Sequence, residues 1–261
     1  MNIRHLVFVF ILTTGCQGKN NSSQNLSTTD TSQKATVSEQ KEIPGFYKWT
    51  GTINSSIPAF LWFIVKDKVI KGELTYLKTK KQLPITVIGR INEEGFKIYE
   101  FQKDGHITGT FMGSLQGDKF KGDWYDPSTG KKLSFQFISK DTIINSVDTI
   151  LQPTNIAGEY SYQFGQKGYQ GGIDIVGINK KLASFDISCV TAAPAFNVAN
   201  VTADSIRILN NIIIYKDPES ENCQFKIRIF KGFLIIDYIN NKYDCGFGMN
   251  ATVEGIFVKL K

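Results

Sequence analysis

The sequence predicts an all-β protein: two antiparallel, eight-stranded, barrel-like modules in tandem after a disordered tether. Three observations carry this. From Gly45 onward apolar residues recur with a period of two rather than 3.6. Turn-forming clusters interrupt these runs at short intervals. No segment has the apolar spacing of a long amphipathic helix. The chain has 261 residues, 41% of them hydrophobic and 12% aromatic, enough to fill one large core or two of typical size.

The first module spans residues 44–140. Phe60, Trp62 and Ile64 alternate with Leu61, Phe63 and Val65, so this run reads as buried on both sides. Leu74 and Tyr76 share a face, as do Ile85 and Val87, and Phe96 and Ile98. Ile107, Phe111 and Leu115 share another, with Gly109 and Gly113 between them. Phe120 and Trp124 alternate with Lys119, Lys121 and Asp123, and Phe135 and Phe137 close the set. Turns are expected at Asn54-Ser55-Ser56, Lys66-Asp67-Lys68, Glu94-Gly95, Asp104-Gly105, Gly117-Asp118 and Ser128-Thr129-Gly130. The strands are therefore 45–53, 58–66, 69–78, 83–89, 95–102, 105–115, 118–125 and 131–138. Eight short strands with tight turns suit a small up-and-down barrel, and glycines inside strands allow the bends that closure requires.

Residues 141–154 read as a linker ending in Gln152-Pro153-Thr154. The second module, 155–261, repeats the pattern: Gly158–Gly165, Gly172–Ile178, Leu182–Cys189, Phe196–Val201, Ile206–Tyr215, Gln224–Phe230, Phe233–Asn240 and Val253–Leu260. The modules open alike, Ile43-Pro44-Gly45-Phe46-Tyr47 matching Ile156-Ala157-Gly158-Glu159-Tyr160. They also close alike, Phe120-Lys121-Gly122-Asp123-Trp124 matching Val253-Glu254-Gly255-Ile256-Phe257.

The N-terminus has a different character. Arg4 makes the first residues positive, and Leu6 to Leu12 form an unbroken apolar run, the layout of a secretory signal over residues 1–15. The run is too short to cross a bilayer as a helix, which takes roughly 20 apolar residues. Thr13-Thr14-Gly15 then precede Cys16, and this resembles the lipobox of bacterial lipoproteins, with Thr13 where an aliphatic residue is usual. The resemblance implies cleavage before Cys16, lipid on its sulfur and a membrane anchor. Each buried CH₂ of such an anchor contributes about 0.8 kcal/mol. Residues 16–43 are rich in Asn, Ser, Thr, Gln and Lys, and cannot bury enough surface to offset ordering. They read as a flexible tether of roughly 30 Å mean reach. No acidic cluster follows Cys16, which points to an outer-membrane anchor facing the periplasm.

The formal net charge is +6 and is unevenly spread. Residues 44–140 hold 15 Lys/Arg against 9 Asp/Glu, and residues 155–261 hold 11 against 10. A basic first module favours acidic partners such as anionic glycans, lipid headgroups or acidic proteins. The plainer reading is solubilising lysine on exposed strand faces. Pairs such as Lys80-Lys81 and Lys131-Lys132 lack the Arg and aromatic interleaving of nucleic-acid binders, so no nucleic-acid partner is expected.

Three further cysteines, Cys189, Cys223 and Cys245, allow one disulfide in an oxidising compartment and leave one thiol over. Cys223 precedes and Cys245 follows a hairpin with its turn at Lys231-Gly232, which makes them neighbours; Cys189 is the alternative partner of either. Their spacings are too long for a common zinc site, and no cofactor or metal is expected.

Signals of catalysis are sparse. After cleavage His106 is the remaining histidine, beside Gly105 in a turn, where a solvated side chain is the ordinary reading. There is no G-x-S-x-G, H-E-x-x-H, Walker or EF-hand pattern. Glu93-Glu94 lies in a turn. Asp123 and Asp126 flank Trp124-Tyr125, which superficially suits glycoside chemistry, although strand-end acids are common. No catalytic residue is assigned and the protein is expected not to be an enzyme. Phe46, Tyr47, Trp49, Trp62, Trp124 and Tyr125, with Tyr160, Tyr162 and Tyr169, form either a ligand-lined barrel mouth or plain core. Trp49, placed near a strand end, is the aromatic most open to a ligand role.

Residues 245–257 resemble the closing segment of periplasmic lipoprotein modules, some of which accompany lysozyme-inhibitor-like domains. Residues 45–138 resemble a recurrent bacterial β module with G-x-W/Y strands. Both imply calycin-like barrels. Membrane-bound C-type lysozyme inhibitors carry a loop of the pattern Y-x-x-x-T-K-G. Tyr76-Leu77-Lys78-Thr79-Lys80-Lys81 is similar but one residue shorter, with Lys81 in place of the glycine. The expected activity is binding of a protein or small ligand, most concretely an acidic or saccharide surface, with Trp49, Tyr76, Lys78 and Lys80 as contacts; inhibition of a lysozyme or another cell-wall hydrolase is the alternative, and a glycan-acting enzyme comes third.

Overall fold

Alternating side chains and tight turns produce sixteen strands and no α-helix among the described residues. The computed structural model describes residues 45–143, 151–153, 155–179, 181–220 and 222–260. The signal, Cys16, the tether and the middle of the linker lie outside the described residues.

The first eight strands are β1 (Gly45–Ile53), β2 (Ile57–Lys66), β3 (Val69–Tyr76), β4 (Ile85–Asn92), β5 (Gly95–Phe101), β6 (His106–Gln116), β7 (Lys119–Tyr125) and β8 (Lys132–Ile143). Each pairs antiparallel with the next, and β8 returns to β1, where Trp49 faces Ser139 and Ile53 faces Phe135. The result is a closed eight-stranded barrel. Its interior is a single apolar cluster that includes Trp49, Leu61, Phe63, Ile98, Phe111, Phe120 and Phe137. A Cβ on Gly72 would stand 1.9 Å from the Trp62 carbonyl oxygen, so only glycine permits β3 to coil this tightly against β2.

Eight further strands follow: β9 (Gly158–Phe164), β10 (Gln170–Asn179), β11 (Leu182–Val190), β12 (Val198–Leu209), β13 (Ile212–Lys216), β14 (Gln224–Phe230), β15 (Phe233–Tyr238) and β16 (Gly255–Lys259). Each again pairs antiparallel with the next, and β16 pairs with β9. Two parallel pairs, His106 with Gln163 and Ile107 with Phe164, join β6 to β9.

The two strand sets are packed against one another. Ile64, Val69, Ile88 and Phe101 belong to the same buried cluster as Leu234, Ile236, Ile256 and Val258. These are residues whose alternation turns them out of the first barrel; of the outward side of Phe60–Val65, expected to be buried, Ile64 is buried against the later strands, whereas Phe60 and Trp62 stay half-buried. The linker's last residues dock there too. Leu151 is buried, and its carbonyl accepts a hydrogen bond of 2.8 Å from the Lys231 amide.

Three expectations are corrected. The strand expected over Ile206–Tyr215 is broken: Asn210 and Asn211 both take positive φ, 52° and 62°, and form a hairpin turn. Residues before them extend β12, and Phe196, also at positive φ, belongs to the preceding turn. Ile107 does not share a face with Phe111, because the β5–β6 register shifts between Glu100 and Phe101 and leaves Thr108 as an extra residue. The closing match is not equivalent either: Phe120–Trp124 lies in β7, whereas Val253–Phe257 leads into β16.

Candidate binding face at the barrel mouth

Up-and-down connectivity sends alternate loops to opposite ends of the β1–β8 barrel. One end, here called the mouth, gathers the connections 54–56, 77–84, 102–105 and 126–131. The other gathers 67–68, 93–94 and 117–118, and also the start of β1 at Gly45. The charges divide with the loops. At the mouth, Lys78, Lys80, Lys81, Lys103 and Lys131 face only Asp104 and Asp126. At the opposite end Lys68 stands among Asp67, Glu93, Glu94 and Asp118. The barrel thus has a positive mouth and an acidic base, and the chain enters at the base.

The loop between β3 and β4 is the longest of these connections, and all of its residues, 77–84, are exposed. It is built rather than loose. Thr79 Oγ1 donates to the Tyr76 carbonyl at 2.9 Å, Gln82 Nε2 to the Leu77 carbonyl at 3.0 Å, and Lys78 Nζ to the Ser56 carbonyl of the β1–β2 turn at 2.9 Å. Beside it lies an open cleft of about 550 Å³, bounded by Tyr76, Thr79, Lys81, Leu83, Phe101 and Lys103 among others.

Beneath the mouth sits Glu100, 2% exposed and in phase with Phe96 and Ile98 on the inner face of β5. Its Oε1 accepts from the Tyr76 hydroxyl at 2.7 Å and from Trp124 Nε1 at 2.7 Å; its Oε2 accepts from Thr108 Oγ1 at 3.3 Å. Burial raises the Glu100 carboxyl above its usual range, against these three donors, which lower it. Burial and the neighbouring carboxyl likewise push the Tyr76 hydroxyl far up, so it stays a donor. Gly109 makes room for the cluster: a Cβ there would lie 2.4 Å from Trp124 Nε1 and 2.5 Å from Glu100 Oε1. The bulge at Thr108 brings its hydroxyl within reach. The sequence reading missed Glu100 and Thr108. The signal for Glu100 was present as an acid in step with two inward apolar residues; the bulge left no sequence mark.

The expected contacts separate. Tyr76, Lys78 and Lys80 stand together at the mouth. Trp49 does not: it is 2% exposed in mid-barrel, packed on Phe63, Phe96 and Phe120 at centroid distances of 4.6, 6.0 and 4.8 Å. Its place in the middle of β1 makes it core. Trp62 lies on the outer face, stacked on Phe46 at 5.3 Å and donating to Glu73 at 3.1 Å. Tyr160 and Tyr162 are buried among the later strands, while Tyr125 and Tyr169 are exposed.

The acids considered for catalysis are engaged apart. Asp123 lies on the outer face and pairs with Lys132 at 3.0 Å. Asp126 holds its own turn, accepting from the Ser128 amide at 2.8 Å and Thr129 Oγ1 at 2.7 Å. His106 opens β6, with Nδ1 3.1 Å from Asp104. Cys223 and Cys245 form the disulfide, and Cys189 is free and buried. No family model matches the chain, and no curated protein or solved structure does so either.

Proposed function

We propose that the chain is a non-enzymatic, lipid-anchored envelope protein that uses the basic mouth of its β1–β8 barrel to bind an acidic protein or saccharide surface. The observation that carries this reading is the axial separation of charge. Five loop lysines gather at the end of the barrel opposite Gly45, the first residue of β1. Lysines clustered in this way attract an anionic surface and speed its encounter. The later strands, pairing in order with β16 returning to β9, support a second calycin-like module in tandem behind the first.

A second reading is inhibition of a lysozyme or another cell-wall hydrolase. It is favoured by one feature, the fully exposed but internally braced loop 77–84, a shape suited to entering a cleft. A pull-down separates the readings. Soluble residues 41–261 are immobilised, and purified lysozymes, envelope extract and anionic cell-wall glycans are passed over them. Stoichiometric retention of a hydrolase selects inhibition, retention of glycan or another acidic partner selects the leading reading, and retention of neither contradicts both.

A further inference from the structure

One seam of the later strand set is barely paired. β12 meets β13 only at Ile208–Ile213 and Leu209–Ile212, beside the Asn210-Asn211 turn. The register of β12 on β11 shifts at Ser184, where Asp204 and Ser205, the latter at φ 53°, oppose a single residue. A bulge bends the strand that carries it, and β12 has no pairing with β13 upstream of this one. Backbone groups point alternately to the two sides of a strand, which fixes the direction of each. The Asn197 carbonyl accepts from the Thr191 amide at 2.9 Å, on the β11 side, and the Val198 carbonyl accepts from the Gly248 amide at 3.3 Å, on the other side. Asn200 and Thr202 are in step with Val198, so their amides and carbonyls turn away from β11. Among the described residues no backbone group pairs with them there. Both residues are exposed, so this edge is open to solvent. Val201 on β12 and Tyr215 on β13, either side of the seam, are the most exposed members of the buried cluster, at 8%.

The sheet face that leads to this edge is acidic. Glu159, Asp174, Asp186 and Thr202 are register partners across β9, β10, β11 and β12, and all four are exposed. Asp204 follows on β12. These four strands contain no lysine, and their single arginine, Arg207, lies beyond the bulge. Glu159, Asp174 and Asp186 make no ion pair among the described residues. Like charges set directly across strands destabilise a sheet, and a counter-charge brought to them relieves the cost.

We propose that the β12 edge takes up an extended, basic segment of a partner protein as an added strand. The unpaired amides and carbonyls of an edge strand supply the main-chain hydrogen bonds of strand addition. Outward side chains of the added strand would stand beside Asn200 and Thr202, at the end of the acidic row, where lysine or arginine is favoured. Its inward side chains would cover Val201 and Tyr215, where apolar residues are favoured. A second copy of this chain, pairing edge to edge through β12, would set one acidic face beside another, so charge selects a different, basic partner. The site is separate from the mouth of the β1–β8 barrel and opposite to it in charge.

The test titrates the purified protein with a short capped peptide that alternates lysine and valine, read by fluorescence anisotropy and by amide exchange in NMR spectra. Binding should saturate, slow the exchange of the Asn200 and Thr202 amides, and weaken with salt. The same peptide N-methylated on alternate amides cannot pair as a strand and should bind about tenfold more weakly, the scale of one or two lost hydrogen bonds. Asn200→Pro removes an outward amide, spares the bonds to β11, and should weaken binding by about the same factor. Asp174→Asn/Asp186→Asn should weaken it about fivefold, the scale of two cross-strand charge contacts. A melting curve like the parent's shows that each variant is folded, and the exchange measured on the parent decides the matter if the proline variant does not fold. No binding, equal binding of the N-methylated peptide or of a glutamate–valine peptide, or binding unchanged in either folded variant overturns the proposal. So does a concentration-dependent dimer that protects the same amides, because the edge would then belong to a second copy.

Discussion

Glu100 concentrates the energetics of the mouth in one side chain. Its carboxyl is raised in the folded protein, so the fold binds a proton more tightly than the unfolded chain does. That contribution is complete below the ordinary Glu value of 4.5 and is lost as pH rises through the folded value. Glu100→Gln keeps an acceptor for Tyr76 and Trp124 but cannot ionise. We expect its stability, measured by denaturant unfolding, to fall less than the parent's between pH 4 and pH 8. Parallel pH curves for the two proteins would contradict this. Glu100→Ala is different, because it leaves three half-buried donors, Tyr76, Thr108 and Trp124, without their acceptor at about 1 kcal/mol each and should destabilise at every pH. Gly109→Ala should also destabilise, since the added methyl must displace the Trp124 indole or the Glu100 carboxyl. A stability equal to the parent's would show that the cluster is looser than its distances imply.

At the scale of elements, the later strands depend on a covalent tie. Cys223 follows β13 and its turn, Cys245 ends the 3-10 turn Lys242–Cys245, and their bond spans 22 residues. A loop of that size contributes about 3 kcal/mol in the chain-entropy account. Cys223→Ser/Cys245→Ser should therefore lower unfolding free energy by about that amount; a loss well under 1 kcal/mol would show that the hairpin alone holds the segment. Cys189 should resist alkylation in the native protein, because it is buried and its thiol is pushed up to about 12. Rapid native labelling would contradict this placement. The elements were largely legible in the sequence, since period-two alternation and Gly- or Asp-containing turns are local signals. What failed was non-local or weakly marked. Asn210-Asn211 turns the chain without a glycine inside an apolar run. The bulge at Thr108, which reverses Ile107, follows from how β5 and β6 pair.

For the molecule as a whole, the packing between strand sets could not be read in advance. Ile64, Val69 and Ile88 look like one more apolar phase of a strand, and their partners Leu234, Ile236 and Ile256 lie far along the chain. The Arg90–Asp237–Arg228 bridge fixes that packing. Asp237→Ala would leave two part-buried guanidiniums facing each other and should cost about 2 kcal/mol or more. A neutral effect in thermal unfolding would show that the apolar contacts suffice. The mouth was half legible: Tyr76, Lys78 and Lys80 were named from their run in the sequence, but the grouping with Lys103 and Lys131 needed the barrel's alternation of loop ends.

If the acidic partner binds at the basic mouth, charge changes there and nowhere else on the barrel should govern its affinity. The direct measurement is equilibrium binding of retained partner or anionic glycan to three proteins: the parent, Lys78→Glu/Lys80→Glu/Lys81→Glu, and Glu93→Lys/Glu94→Lys at the opposite end. The mouth variant should lose binding by about tenfold or more, the scale of charge reversal across a contact, and salt should weaken binding by the parent. The base variant should bind as the parent does. Equal binding by the mouth variant and the parent, or a loss confined to the base variant, would contradict it.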